Sequence, residues 1–155
     1  MPSMQSSKGF TLIELAILVV LVGIIAGIAI PSFTRVIESN RLTATTNDLV
    51  GTFHFARSEA IRRGRTVNVA AREIGGTTDW VNGVVVSAGA DVIRVTDPLG
   101  NRITVTGSDF GFRGNGLASS GESFEVCSES GDGRVVIISR GGQIRVRGIV
   151  AGECT

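Results

Sequence analysis

The sequence has few of the residues that build metal or nucleic-acid sites. Its 155 residues include one histidine, His54, one lysine, Lys8, and two cysteines that do not form a C-x-x-C pair. Zinc sites need clusters of Cys and His at short spacing, so we expect no metal site. Fifteen basic and fourteen acidic residues leave a formal net charge of +1. Overall charge therefore indicates no nucleic-acid partner, and only a local patch could do so.

Catalytic motifs are scarce as well. His54 lies between two phenylalanines in a helical segment, and there is no G-x-S-x-G turn. The glycine-rich stretches "GFRGNG" and "SGDG" lack the following Lys-Ser/Thr of a phosphate loop. The carboxylates of Glu122 and Glu125 are typical of a solvated strand face. We expect neither an enzyme nor a bound cofactor. Three prolines against 21 glycines favour many turns over a disordered proline-rich chain.

One long apolar run is present, at residues 10–30, and its only charged residue is Glu14. Roughly 20 apolar residues suffice for a helix to span ~30 Å of hydrocarbon. A secretory signal would have a shorter apolar core, of about 7–15 residues, and a small-residue cleavage site. The pattern predicts a transmembrane helix over 10–31, and a plain signal anchor is the simplest alternative.

A second helical pattern follows Pro31 and extends to about Arg63. We expect Pro31 to bend the helix without ending it. Arg62 and Arg63 suit a last helical turn, and Gly64 suits the position after it. Residues three and four apart form an apolar stripe, whereas Glu59 and most other polar residues fall on other faces. The stripe comprises Leu42, Thr46, Leu49, Phe53, Ala56 and Ala60.

From Arg65 onward the apolar period changes to two, which predicts an antiparallel β domain of about seven strands in one or two sheets packed on the helix stripe. Stretches such as "EIGGTTD" separate the strands, and Asp132-Gly133 and Gly141-Gly142 are predicted tight turns. The continuous apolar run 135–138 predicts a central strand covered on both faces. The predicted strands are 66–71, 80–87, 92–96, 102–106, 123–127, 134–139 and 143–150.

The N-terminal stretch "KGFTLIEL" resembles the start of type IV pilins and type II secretion pseudopilins. The resemblance lies in the Lys8-Gly9 pair, in Phe10, in Glu14 as the fifth residue after Gly9, and in Pro31. It implies that a prepilin peptidase cuts after Gly9 and N-methylates Phe10. It also implies that Glu14, costly in lipid by a few kcal/mol, pairs with the terminal amine of a neighbouring subunit. The alternative is a glutamate solvated at headgroup level.

The head resembles H-type pseudopilins and FimT/FimU-like minor pilins through "NDLVGTFHFARSEAIRRGRTVNV", Trp80-x-x-Gly83, "VTDPLGNRITV" and "GRVVIISRGGQIRV". This implies an α+β pilin-like fold and a minor pilin that acts in pilus assembly or at the pilus tip. Alternatives are an H-type pseudopilin of type II secretion and a DNA-binding minor pilin.

The implied partners are other pilins, prepilin peptidase, the inner-membrane assembly platform and lipid. The implied location is the bacterial inner membrane, single-pass with a periplasmic head, and then the filament. The expected segments are a leader 1–9, a transmembrane helix 10–31, an amphipathic helix 32–64 and a β head 65–155.

Two sets of head residues carry further expectations. In an oxidising periplasm, Cys127 and Cys154 would form one disulfide that pins the C-terminus, the alternative being two free thiols. Arg140, Arg145 and Arg147 form a possible basic patch able to bind DNA phosphates. The Gly-Arg-x-Arg signature of some FimT-like pilins aligns with residues 142–145, where Gln replaces the first Arg. The alternative is a solvated face with ion pairs to Glu125 or Glu129.

Overall fold

The computed structural model describes residues 9–100, 102–149 and 154, and at residues 31 and 32 the backbone only. Apart from Gly9, the predicted leader lies outside the described residues. One helix is followed by eight strands: α1 Leu12–Arg63, β1 Val67–Ile74, β2 Thr77–Ala88, β3 Asp91–Val95, β4 Ile103–Thr106, β5 Phe110–Phe112, β6 Glu122–Ser128, β7 Gly133–Ile138 and β8 Ile144–Ile149. The fold is the predicted α+β arrangement of one long N-terminal helix and an antiparallel β head.

Helix α1 is continuous through Pro31 and ends at Arg63, as predicted. Gly64 follows in the left-handed region, with φ 63°, and its amide donates to the carbonyl of Ile61 at 3.2 Å. By length and composition, α1 could cross a membrane, and it is the one such helix in the described part of the chain. The described residues divide into two compact units, and the boundary falls between Ile37 and Glu38.

The apolar stripe of α1 is buried at all six predicted positions. The exception to the predicted pattern is Glu59, which we expected on another face but which is 8% exposed. Its neighbour Ala60 belongs to the stripe, and the Arg62 and Arg63 side chains bind the Glu59 carboxylate from the solvent side. Ion pairing thus allows a charged residue to be buried beside the core.

The strands form two antiparallel four-stranded sheets, in the orders β3-β2-β1-β5 and β4-β6-β7-β8. The prediction missed β5, a three-residue strand that pairs with the start of β1. It also ended β1 too early and began β2 too late. The stretch "EIGGTTD" is mostly strand, and only Gly75 and Gly76, both at positive φ, form the turn between Ile74 and Thr77.

The predicted turns after β6 and β7 have different outcomes. Gly141-Gly142 does form the β7–β8 turn, in which the Gly142 amide donates to the Ser139 carbonyl at 2.8 Å. The Asp132-Gly133 prediction was wrong, because Gly131 provides the positive φ of the preceding turn, whereas Gly133 begins β7 opposite Cys127. Strand β7 is interior to its sheet, as predicted. One of its faces is only half-buried, at Val135 and Ile137, so it is not fully covered on both faces.

Phe53 joins the helix to both sheets. Its ring centroid lies 5.2 Å from that of Phe110 in β5 and 4.9 Å from that of Phe124 in β6. Trp80 completes this aromatic cluster at 4.7 Å from Phe124. The core of the head is therefore a set of interlocking rings between α1 and the two sheets.

Candidate functional site

The first turn of α1 is closed by a capping box, the reciprocal arrangement in which an N-cap Thr and a Glu three residues later bind each other's backbone amide. The Thr11 amide and hydroxyl both donate to Glu14 Oε2 at 2.8 Å, and the Glu14 amide donates to Thr11 Oγ1 at 3.3 Å. This role was not predicted, although T-x-x-E before an apolar run is its signature. Both bonds that the carboxylate accepts end at Oε2, so the Glu14 carboxylate can cap its own helix and still present Oε1 to a cation.

The residues around the predicted cleavage site are exposed. Gly9 and Phe10 precede α1, and Phe10 is 80% exposed. A Cβ at Gly9 would have no heavy atom within 4 Å, so packing among the described residues does not require glycine there. From Leu12 to Ile30 the large apolar side chains are also exposed. A surface of this kind is stable only when lipid or other apolar helices cover it.

The predicted disulfide is present, and Cys127 and Cys154 have their Cα atoms 5.8 Å apart. It fastens residue 154 to β6, an interior strand of its sheet. It also explains the glycine at position 133, since a Cβ there would collide with the sulfur of Cys154. The glycine read from sequence as a turn residue is thus required by the cross-link.

The three arginines of the possible DNA-binding patch do not all share a surface element. Arg145 and Arg147 lie two apart on edge strand β8, where they share one face, whereas Arg140 lies in the β7–β8 turn. All three are exposed. Arg145 donates to the Gln143 side chain at 3.1 Å, so the glutamine that replaces the signature arginine contacts the arginine that remains.

The ion pairs proposed as the alternative for this face are not formed among the described residues. Glu129 instead pairs with Arg102, at 3.4 Å. Arg145 and Arg147 are therefore available to an anion, and DNA binding by them stays a prediction.

The Trp80-x-x-Gly83 motif forms an irregularity in β2. The register with β1 shifts so that Ala71 pairs with Val84 and the next β1 residue pairs with Asp79. The extra residues allow Trp80 to enter the core, where its indole N–H donates to the Gly107 carbonyl at 3.0 Å. Gly83, at φ 108°, lies so close to the Thr96 carbonyl that a Cβ would be 2.6 Å from it. Trp80 and Gly83 of the motif therefore serve the packing of the head.

The strongest electrostatic perturbation in the head is at Glu59. Arg62 donates to both oxygens of its carboxylate, at 2.9 and 2.6 Å, and Arg63 donates to Oε2 at 2.8 Å. The hydrogen bonds from Arg62, followed by the one from Arg63, lower the pKa of Glu59 from 4.5 to about 2. Ion pairs thereby join Glu59 to two arginines of the last turn of α1.

Curated proteins similar to this chain are pilus subunits. The chain is 28% identical over 116 residues to Fimbrial protein Q of Moraxella bovis, which covers 64% of this chain and 73% of that protein. It is 41% identical over 46 residues to the Type IV major alpha-pilin of the same organism, although that match covers only 30% of this chain and 29% of the pilin.

Solved structures show the same fold. The type IV minor pilin FimU of Pseudomonas aeruginosa superposes with a TM-score of 0.62 at 23% identity, over 74% of this chain and 96% of that one. The minor pseudopilin EpsH of the Type 2 Secretion System of Vibrio cholerae gives a TM-score of 0.53 at 11% identity, over 73% and 99%. The family described as Type II transport protein GspH matches residues 45–142. With its long helix, its two sheets and this match, the chain belongs to the GspH family of minor pilins and pseudopilins.

Proposed function

We propose that this chain is a minor subunit of a type IV pilus, with a structural and not a catalytic role. In this proposal prepilin peptidase cuts the precursor after Gly9 and methylates Phe10. Helix α1 then anchors the subunit in the bacterial inner membrane, with the head in the periplasm, until the assembly platform inserts it into the filament. There the same helix packs against the α1 helices of other pilins.

The proposal rests on a difference in exposure between the two parts of α1. Its first part, from Leu12 to Ile30, exposes large apolar side chains on all sides, whereas its last part buries one stripe in the head. At 1.5 Å per residue, the exposed part is roughly 28 Å long, which suits a membrane first and a bundle of like helices afterwards. A charged Glu14 in this apolar part is tolerable if a cation neutralises it, and the amine created by cleavage would supply that cation.

We favour the pilus over a type II secretion machine because the two curated relatives above are named as a fimbrial protein and a type IV major pilin. Both machines would use the same anchor and the same cleavage. Deletion of the gene in the source bacterium separates them: loss of surface pili with normal protein secretion supports the pilus. Loss of secretion with normal pili would replace our proposal with the pseudopilin.

Three variants test the role of Glu14. Glu14→Ala removes both the charge and the cap. Glu14→Gln keeps an acceptor for Thr11, and Thr11→Ala weakens the cap but keeps the charge. All three precursors should still be cleaved after Gly9, as intact mass will show. Recovery of both Glu14 variants in sheared filaments should fall about tenfold or more, which corresponds to a loss of ~1.4 kcal/mol in the free energy of assembly. Recovery of Thr11→Ala should stay near that of wild type.

Normal recovery of Glu14→Gln would refute the pairing role, because that variant has no charge with which to bind an amine. A loss for Thr11→Ala equal to that for Glu14→Ala would instead assign Glu14 to helix capping. Absence of the wild-type chain from both pili and secretion-system filaments would refute the proposed function itself.

A further inference from the structure

Three segments meet at the C-terminal end of α1 and lock together. They are the last two turns of the helix, the loop that follows β5, and the β7–β8 turn. Arg57 Nε donates to the Gly116 carbonyl at 2.9 Å, and the Ala118 amide donates to the Arg140 carbonyl at 3.1 Å. A Cβ at Gly114 would be 2.6 Å from the Gly64 carbonyl oxygen, so the backbones themselves are in contact. This end of the head is therefore rigid.

The side chains exposed there include Asn115 together with arginines and two aliphatic residues. We call the arginines and the aliphatic pair the helix-end surface: Ile61, Arg62, Arg65, Arg113, Leu117 and Arg140.

The helix-end surface has an excess of positive charge. Arg62 is bound to Glu59, at 2.6 Å, and Arg65 is bound to Asp91, at 2.9 Å. In the described parts of the chain, neither Arg113 nor Arg140 has an ion-pair partner. Both guanidinium groups are available to carboxylates of another molecule.

Apolar side chains lie among these arginines. Ile61 is 52% exposed and Leu117 is 42% exposed. They are neighbours, since Leu117 follows Gly116, whose Cβ would lie 3.0 Å from Ile61 Cδ1. Arginine mixed with exposed aliphatic residues on a rigid base is the composition of a protein interface, where arginine is enriched. A surface that only neutralised phosphates would have no use for the aliphatic pair.

The opposite end of β1 has the complementary charge. Strand β1 begins at Val67, next to the helix end, and its eight residues span roughly 25 Å before the turn at Gly75-Gly76. Glu73 and Asp79 flank this turn, and both are exposed. No ion pair reaches either carboxylate among the described residues. Arg72 lies opposite Asp79 in the β1–β2 register, but its guanidinium donates to the Thr96 carbonyl at 3.2 Å and forms no ion pair with that carboxylate. The fold thus has unpaired arginines at one end and unpaired carboxylates at the other, which is the arrangement a head-to-tail contact requires.

We propose that the helix-end surface docks onto the acidic end of a neighbouring pilin-type subunit, with Arg113 and Arg140 pairing with its carboxylates around a contact made by Ile61 and Leu117. This inference rests on the proposed function, because it needs a filament that brings pilin heads together.

The experiment is photo-cross-linking of the full chain in the bacterium that makes it. A photo-reactive phenylalanine analogue replaces Leu117, and adducts from sheared filaments are mapped by mass spectrometry. We expect an adduct with a pilin-type chain, at a segment rich in Asp and Glu. Arg113→Glu combined with Arg140→Glu should reduce the adduct about tenfold or more. The control pair, Arg145→Glu with Arg147→Glu, makes the same charge change on β8 and should keep it.

Folding of both pairs is checked by the unfolding midpoint of Trp80 fluorescence, which should stay within a few degrees of wild type. The docking proposal fails if a chain found in filaments gives no protein adduct, if the adduct is with nucleic acid, or if both charge-reversal pairs reduce it equally. Those outcomes leave the proposed function intact. A chain that is neither cleaved nor found in any filament would overturn the proposed function instead.

Discussion

Replacement of Phe53 by alanine should be among the most damaging single changes to the head. The Phe53 side chain is fully buried, and its ring packs against Phe110 of one sheet and Phe124 of the other. Removing it takes away the contact through which α1 holds both sheets. The surrounding backbone belongs to a helix and to paired strands, so the cavity can close only partly.

The expected loss of unfolding free energy for Phe53→Ala is about 3–5 kcal/mol, the range for a buried phenylalanine truncated in a packed core. That includes the ring–ring terms, each about 0.5–1.5 kcal/mol beyond simple burial. Domains of this size are stable by about 5–15 kcal/mol. The variant should therefore lose at least about a fifth of its stability, and its midpoint should fall by about 10–25 °C.

Trp80 provides the assay. It is the only tryptophan, it is 5% exposed, and its ring lies 4.7 Å from that of Phe124. Its fluorescence therefore reports unfolding of the head and is blind to the anchor, which allows the full chain to be measured in detergent. Thermal and urea unfolding of wild type and variant give the difference in their free energies of unfolding directly.

Phe55→Ala is the matched control, on the same helix two residues further on. Phe55 is half-buried and makes a cation–π contact with Arg94, whose Cζ lies 5.1 Å from the ring centroid. Phe55→Ala should lower the free energy of unfolding by only about 1–2 kcal/mol. A loss for Phe53→Ala that was below about 1.5 kcal/mol, or no larger than that for Phe55→Ala, would refute the assignment of Phe53 to the centre of the core.

Four further changes have defined outcomes. Replacing Cys127 and Cys154 by serine should cost about 3.5 kcal/mol by chain entropy, since the cross-link spans 27 residues, and the native protein should take up no alkylating reagent without reductant. Glu59→Gln should destabilise the head at neutral pH, and the difference from wild type should vanish as pH falls from about 4.5 to about 2, because the lowered pKa of Glu59 stabilises the fold only while the carboxylate is charged. Gly51→Ala, in an exposed and open helix position, should gain about 1 kcal/mol. Gly114→Ala should lose about 1–3 kcal/mol against the Gly64 backbone.

Each of these changes can give a contradicting result. Full alkylation of both thiols in oxidised protein would rule out the cross-link. If the stability difference between wild type and Glu59→Gln grew as the pH fell, the ion pair would not stabilise the fold as we expect. Glu125→Gln, at an exposed strand position, is the control for this variant. Equal effects of the two glycine substitutions would show that the contact at Gly114 relaxes freely.

The positions of the helical stripe were predictable because they depend on a short-range rule, and the disulfide was predictable because the chain has only two cysteines. All six stripe residues are buried, since a period of 3.6 brings them to one face whatever that face packs against. The pairing of the two cysteines needed no geometry, because only one pair could form in an oxidising compartment. Strand β5 was missed because three residues, Phe110–Phe112, are too few to show a period of two.

By itself, the sequence determined where the anchor lies, where α1 ends, which helix residues enter the core and which family the chain resembles, because those depend on composition, periodicity and a local motif. Only the tertiary structure decided that Glu59 is buried beneath two arginines, that Gly133 makes room for a sulfur, and that Arg113 and Arg140 stand together with Ile61 and Leu117. Glu59 lies only three and four positions from its arginines, but the packing of the helix on the head is what buries it. The other two groupings join residues from separate segments, and only the packing of both sheets on one helix makes them neighbours.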